Sequence, residues 1–436
     1  MNAIAPELAL IVGDSGICNW DDLPPDWQEQ IARVNGSEYS SVVYPSCVEE
    51  LSEVMKCAYN KGWRVLPGGS GSKLGWGGIG KPVNLVLSTQ RLNQVIDHAV
   101  GDLTVTAQAG VKFADLQAML LKTGQFLPLE PAYPQNATLG GIIATADSGS
   151  WRHRYGGVRD MLLGISFVRS DGEVAKAGGR VVKNVAGYDL MKLFTGSFGT
   201  LGILTDVTFR LYPVQEASAT VVLVGEADAI ASTTKSLLAS ALTPTAADLL
   251  STQLVTTLGL GQGMGLMVRF QSLSESVKEQ SSRLLEVGQQ LGLLGTLSTN
   301  SDETHLWKSL PEQIWAAPQH SGITCKIGVV PTAAVAMLTQ LDTLTSGTGL
   351  GLIHAGSGLG NVRLDSATVK PETILEMRKH CQSHNGFLTI LEAPVALKQQ
   401  LDVWGYAGNA LDMMRRIKEM FDPKDILSPQ RFVGGI

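Results

Sequence analysis

The chain has 436 residues, of which 44% are hydrophobic and 17% charged, with a formal net charge of −6. That length supports two or three packed domains, and this balance excludes a disordered chain and a basic nucleic-acid binder. Five scattered cysteines, Cys18, Cys47, Cys57, Cys325 and Cys381, form no C-x-x-C pair, which excludes an encoded iron–sulfur cluster, a zinc ribbon and a disulfide framework and fits a reducing, cytoplasmic setting.

The apolar stretch 8–12 is short, Glu7 precedes it, and no Lys or Arg occurs before Arg33. A signal peptide is therefore not expected, and no apolar run reaches the length of about 18 residues that a membrane span needs. Residues 1–37 read as an ordered arm with a short helix over 25–34, its Trp20 and Trp27 packing on a neighbouring surface. Residues 41–44 read as a buried strand. Ser46 and Glu49 then form a capping box, and Val48, Leu51, Val54, Met55 and Ala58 share one face of a helix that Gly62 stops. Residues 63–66 are the next strand.

That strand leads into residues 67–80, PGGSGSKLGWGGIG, with seven glycines in fourteen residues. Glycine lets backbone approach a ligand closely, and successive N–H groups in such a turn make an anion-binding nest. The expected guest is a phosphate or pyrophosphate. A Walker loop needs Ser or Thr after its G-K, where this chain has Pro82. A Rossmann fingerprint needs a third glycine and a following helix, whereas Lys73 and Leu74 follow here and 83–87 reads as a strand. The stretch is expected to be a strand-to-strand phosphate cradle.

Residues 103–107 alternate like a half-buried strand, Gly110 turns the chain, 113–122 is a helix closed by Gly124, and 127–134 is extended. Further small-residue turns stand at 138–141 (TLGG), 146–150 (ADSGS) and 196–202 (GSFGTLG). Arg152, His153 and Arg154 make a basic cluster that either contacts ligand or only positions Tyr155. A strand over 163–169, a hairpin turn at Asp171-Gly172, a return strand over 173–177 and a strand over 203–211 complete the region. Glycine inside structure costs roughly 0.5–1 kcal/mol against alanine, so four such turns make sense when several backbone segments converge on one long, polar cofactor. From 215 to 400, strand patches at 219–224 and 265–270 mix with a helical patch at 277–291.

The series PGGSGS (67–72), TLGG (138–141), ADSGS (146–150), RYGGVRD (154–160) and GTLGILT (199–205) resembles the FAD-binding domain of the vanillyl-alcohol oxidase/p-cresol methylhydroxylase (PCMH-type) superfamily. The run GGRVVKNVAGYDLMKLFTGSFGTLG (178–202) resembles GlcE-type FAD-binding subunits of bacterial glycolate oxidases, and 415–431 resembles their closing K-x-x-F-D-P…P-x-R segment. The resemblance implies an α+β protein: an arm over 1–37, a PCMH-type FAD-binding domain of two α+β subdomains over 38–214, an α+β cap over 215–400, and a C-terminal segment over 401–436 that returns to the FAD domain. It implies that Pro67, Gly68, Gly69, Ser70, Gly71 and Ser72 wrap the pyrophosphate of FAD. Thr138, Gly140, Gly141, Ala146, Ser148 and Gly149 would line the ribityl chain and flavin, with Tyr155, Gly156 and Ile203 completing the walls. Some members link flavin covalently through a histidine in the first loop. Gly71 stands there in this chain and no cysteine is near, so FAD is expected to be non-covalent.

The implied activity is oxidation of glycolate or a related 2-hydroxy acid, beside a D-type flavoprotein subunit and an iron–sulfur subunit, in the cytoplasm or peripheral to a membrane through those partners. Two alternatives stand: a non-catalytic FAD-binding assembly or electron-transfer subunit, and a stand-alone sugar-acid or aldonolactone oxidase, against which residues 184–189 speak. Oxidising a 2-hydroxy acid needs a cation for the carboxylate, best an Arg fork, a base for the hydroxyl proton, and a flavin that takes the hydride. His354, Arg154 and Arg363 are the candidates. His354 lies in IHAGSGLGN (353–361), which resembles the H-x-G-D-G-N-x-H segment of sister proteins without its aspartate and second histidine. No metal site is therefore expected, and His354 reads either as substrate-facing or as an ordinary cap residue. Lys183, Asn184, Tyr188 and Asp189 either touch cofactor or brace their loop. His380 and His384 have helical metal spacing but no third ligand, and read as surface.

Overall fold

The computed structural model describes residues 4–35, 41–180, 187–315 and 322–436. They form two compact units, one of Met1–Gly149, Gly156–Val214 and Tyr406–Ile436, the other of Ser150–Tyr155 and Gln215–Gly405. In the first unit, β1 (Ile17–Cys18), β2 (Ser41–Val43), β3 (Val65–Gly68) and β4 (Leu85–Ser88) make a small sheet in the order β1-β2-β4-β3. Both β2 and β3 run parallel to β4. β2 and β3 therefore run the same way on either side of β4, and the helix Val48–Lys61 makes the crossover between them.

Side chains alternate across this sheet as the strand period requires. Val43, Val65, Leu85 and Leu87 pack with Leu51, Val54, Met55 and Ala58 of the crossover helix. Val42, Leu66 and Val86 face the other way and pack with Trp27, Ile31 and Val34 of the helix Pro25–Asn35. Trp27 and, less deeply, Trp20 thus pack on this sheet, a neighbouring surface as expected. Leu8, on the helix Ile4–Val12, is fully buried in the first of these cores, with Ile4 and Val12 of the same helix. The capping prediction shifts by one residue. Cys47 occupies the N-cap position, which makes Glu50 rather than Glu49 the third helical residue, and the Ser46 N–H and Oγ donate to Glu50 Oε2 at 2.7 and 2.9 Å.

The second sheet of this unit is antiparallel: β5 (Val95–Ala99), β6 (Thr104–Gln108), β8 (Leu162–Val168), β9 (Val174–Gly178) and β10 (Ile203–Arg210), in the order β5-β6-β10-β8-β9. A two-residue pairing of β7 (Gln125–Phe126) with β11 (Tyr212–Pro213) stands apart. The chain's C-terminal segment closes the unit. Val65 N donates to Ile426 O at 2.7 Å and Ser428 N to Val65 O at 2.9 Å, so this segment lies along β3. Lys418 Nζ donates to Asp422 Oδ2 at 2.6 Å, Leu427 O at 2.8 Å and Thr200 O at 3.2 Å.

The second unit is built on one antiparallel sheet of β12 (Ala217–Gly225), β13 (Ala246–Leu250), β14 (Met264–Ser272), β15 (Leu294–Ser298), β16 (Gly322–Gly328), β17 (Leu350–His354), β18 (Leu359–Asp365) and β19 (Phe387–Glu392), ordered β15-β12-β14-β13-β17-β18-β16-β19. One face carries the large apolar core with Val221, Leu223, Leu249, Leu266 and Ile353. The other carries a smaller apolar cluster around Val222, Met267, Leu306 and Trp307, and polar residues beside it. The short helix Arg152–Tyr155 lies against β13.

Asp422 is 2% exposed and its side chain is held by Lys418. Removing one partner of a buried ion pair strands the other charge, at a cost of about 3–5 kcal/mol. Lys418→Met is expected to lower stability by that amount in urea unfolding, and Lys418→Met/Asp422→Leu to recover most of it.

Candidate functional site

In the first unit a cleft of about 770 Å³, open water at its mouth included, is lined by residues 67–74, Thr89, Thr138, Gly140, Gly141, Ala144 and Thr145, by Phe194, 197–199 and 202–204, and by Arg431. The glycine turn forms one wall. Gly71 has φ +84°, and a Cβ there would also meet the Trp27 indole at 3.1 Å. A Cβ on Gly69 would stand 2.0 Å from Thr138 Oγ1. The backbone N–H groups of Ser70, Gly71 and Ser72 donate to no partner among the described residues, as an anion-binding nest requires. Residues 138–141 form the second wall, and they open a helix (Leu139–Thr145) rather than a free turn, with Thr138 Oγ1 accepting from Gly141 N. The N–H groups of Leu139 and Gly140 already donate to Val111 O and Ala109 O, so the anion donors belong to the first turn.

Two buried cations flank the cleft. Lys73 Nζ lies 2.5 Å from Asp147 Oδ2, their side chains 5% and 10% exposed. Arg431 donates to Leu74 O and Trp76 O, each at 2.6 Å, and burial pushes its guanidinium down to about 10. The cleft thus joins Pro67, Gly68, Gly69, Ser70, Gly71, Ser72, Thr138, Gly140, Gly141 and Ile203. Ala146, Ser148, Gly149, Tyr155 and Gly156 lie outside its lining. Ser148 Oγ accepts from Val158 N, Gly149 packs on Glu130, Gly156 packs on Asp160, and Tyr155 belongs to the other unit.

In the second unit Asp248 on β13 and His354 on β17 are direct cross-strand partners. Asp248 is fully buried, His354 is 4% exposed, and Nδ1 of the ring lies 2.7 Å from Asp248 Oδ1. His153 stands against the turn after His354: a Cβ on Gly356 would meet His153 Nδ1 at 2.8 Å. That Nδ1 is buried without a hydrogen-bond partner among the described residues. Burial lowers the His153 pKa from its ordinary value, Asp248 opposes that shift and His354 adds to it. Arg154 is exposed. Arg363 donates from Nη1 to Ile314 O at 3.2 Å and to Thr324 Oγ1 at 3.4 Å, so it ties strand to helix. His380 and His384 have ring centroids 4.6 Å apart. Among the described residues no group of three or more His, Cys, Asp or Glu is placed to hold a metal ion. Tyr188 is 89% exposed and Asp189 pairs with Lys192. Lys183 and Asn184 lie outside the described residues.

Residues 39–178 match the FAD binding domain family, and residues 404–432 match the C-terminal domain of FAD linked oxidases. The chain is an FAD-linked oxidoreductase. A D-lactate dehydrogenase of Archaeoglobus fulgidus is 26% identical over 95% of each chain, and an uncharacterised FAD-linked oxidoreductase of Mycobacterium tuberculosis is 27% identical over 98% of each. The glycolate oxidase subunit GlcE of Escherichia coli is 37% identical, but over 32% of this chain and 41% of its own, so the likeness to GlcE is partial. The solved structure of p-cresol methylhydroxylase with substrate bound matches 99% of this chain and 96% of its own with a TM-score of 0.73 at 15% identity, which shows the PCMH-type fold.

FAD fits the cleft of this oxidoreductase on physical grounds. The nest offers unbonded N–H groups to a pyrophosphate, and Gly68, Gly69, Ser70, Gly71, Thr138, Gly140 and Gly141 keep two of the walls low. Sequence reasoning missed Lys73, Asp147 and Arg431 as site residues. The P-x-R ending was visible, but nothing local reveals that its arginine returns 355 positions to Trp76.

Gly71→Ala is expected to lower stability by about 1–2 kcal/mol through its left-handed backbone and to reduce the ratio of bound flavin to protein. Gly69→Ala is expected to lose FAD through Thr138, and Thr138→Gly in the same chain to restore part of it. Flavin absorbance of the purified variants checks both.

His153 has a lowered folded pKa, so the unfolded chain binds the extra proton first and stability declines as pH falls from about 6.5 toward the folded value. His153→Asn is expected to flatten that decline. Melting temperatures of both proteins between pH 5 and 8 would run parallel if His153 contributed nothing.

Proposed function

We propose that this oxidoreductase acts on the CH–OH group of glycolate or a related 2-hydroxy acid. Bound in the cleft, FAD would supply the acceptor for the hydride that leaves the substrate carbon. The nest at 70–72 would hold its pyrophosphate. The observation that carries the reading is the pair of His354 with Asp248, 2.7 Å apart and buried. A carboxylate on Nδ1 fixes the ring and its tautomer and leaves Nε2 as the basic nitrogen. A general base of this kind is what abstraction of a hydroxyl proton requires. The similarity to a D-lactate dehydrogenase along 95% of the chain supports the same substrate class.

We propose further that the chain works with a D-type flavoprotein and an iron–sulfur subunit, a reading supported by the partial similarity to GlcE. Those partners would also set its location. No helix among the described residues is long and apolar enough to cross a membrane.

Acid precipitation is expected to release FAD into the supernatant, because Gly71 replaces the linking histidine. Anaerobic glycolate or D-lactate is expected to bleach the flavin, alone or with the partner subunits present. His354→Asn should slow bleaching by roughly 10²–10⁴-fold with flavin content unchanged. Bleaching at the wild-type rate in that variant would place the base elsewhere. No bleaching by any 2-hydroxy acid, with or without partners, would leave a non-catalytic FAD-binding subunit.

A further inference from the structure

Arg269 on β14 is held from behind by one of its nitrogens. Nε donates to Glu303 Oε1 at 2.9 Å and to Ser218 Oγ at 3.1 Å. Glu303 Oε1 also accepts from Ser218 Oγ at 2.6 Å and Thr220 Oγ1 at 2.9 Å, and Trp307 Nε1 donates to Thr220 Oγ1 at 2.8 Å. Glu303 and Trp307 sit on one helix, Asn300–Ile314, so the anchor is rigid. The guanidinium carbon lies 5.1 Å from the ring centre of Trp151 and 5.3 Å from that of Trp307. The side chain is 16% exposed.

A guanidinium carries five N–H donors. Here Nη1 and Nη2 donate to no partner among the described residues, and they are not among the side-chain atoms buried without a partner, so solvent reaches them. An arginine with a purely structural role would spend its terminal nitrogens on the fold, as Arg431 and Arg363 do. Arg269 instead presents a fork between two indoles. A fork of parallel N–H groups matches a planar carboxylate.

The register puts this fork on the same sheet face as the proposed base. Arg269 and Met267 are two apart on β14, Met267 pairs with Asp248, and Asp248 pairs with His354. Two residues along a strand and two strands across separate the Arg269 and His354 Cα atoms by roughly 12 Å. The turn Ser150–Tyr155 touches both ends, with Trp151 beside Arg269 and His153 against Gly356.

We propose that Arg269 is the substrate-carboxylate clamp of this protein, binding the acid group of a small 2-hydroxy acid on Nη1 and Nη2 between Trp151 and Trp307. The proposal rests on the reading of the chain as a 2-hydroxy acid oxidoreductase and assigns its carboxylate site.

The test uses the full FAD-loaded chain and oxalate, a small dicarboxylate with no CH–OH group to oxidise, titrated by calorimetry and by indole fluorescence. Glycolamide, which lacks the charge, is the control. Oxalate is expected to bind and glycolamide not. Arg269→Gln should weaken oxalate at least about tenfold, the loss of a charge-assisted pair of hydrogen bonds, and Arg269→Lys should fall between, since an ammonium is a point charge. Should Arg269→Gln fail to fold, Arg269→Lys and Trp151→Leu carry the test with melting temperature as control. Equal oxalate affinity in the variants, glycolamide binding as well as oxalate, or no binding to the wild type would each overturn the clamp. Flavin bleaching separates the two readings. Arg269-dependent oxalate binding without bleaching by any 2-hydroxy acid sinks the oxidase reading alone. Bleaching whose KM for glycolate is unchanged in Arg269→Gln sinks the clamp alone.

Discussion

Arg431 is 4% exposed and hydrogen-bonds the carbonyls of Leu74 and Trp76. Its grip ties the C-terminal segment to the glycine turn, and the geometry of the cleft depends on it. A turn rich in glycine has little preference for one shape, because each glycine has the widest choice of backbone angles. Here the shape is imposed from outside, by Arg431 on one side, the Trp27 indole under Gly71 on another, and the Thr138 hydroxyl beside Gly69. The neighbouring N–H groups of Ser70, Gly71 and Ser72 are left without partners by the same constraint. The C-terminal segment also runs along β3 and is pinned by Lys418 to Thr200, so the first and fourth small-residue turns share one support.

The second unit uses polar groups differently. Its large sheet puts an apolar core on one face and, on the other, spaces charged side chains at cross-strand positions. Asp248 faces His354 directly, and Arg269 is locked to Glu303. Each buried charge there meets an opposite charge or a hydrogen-bond donor, as burial demands. The arrangement leaves ring and guanidinium atoms oriented but not consumed. Orientation without saturation is what a reacting or binding group needs.

Much of this was legible in the letters. The alternation at 41–44 and 103–107, the apolar face of the crossover helix and the stop at Gly62 gave the elements, because each is a local pattern with a period of two or near 3.6. The glycine turn that lines the cleft was legible because glycine and small hydroxyls concentrate there. The helix over 4–12 was read as part of an arm, since a short apolar helix looks the same whether it is docked or not. The turn at 138–141 was read without the helix that it opens, because two glycines in succession lower helix propensity. There the surrounding contacts override propensity.

The sequence by itself determined that this chain is an α+β protein with an FAD binding domain and a series of glycine-rich turns, since those properties are carried by neighbouring residues. Only the tertiary structure decided which side chains meet. Asp248 and His354 are 106 positions apart, Arg269 and Trp151 are on different elements, and Arg431 reaches back to Leu74 over 357 positions. Such pairs are created by sheet register and by the return of the C-terminus, which many distant contacts fix together and no local stretch encodes.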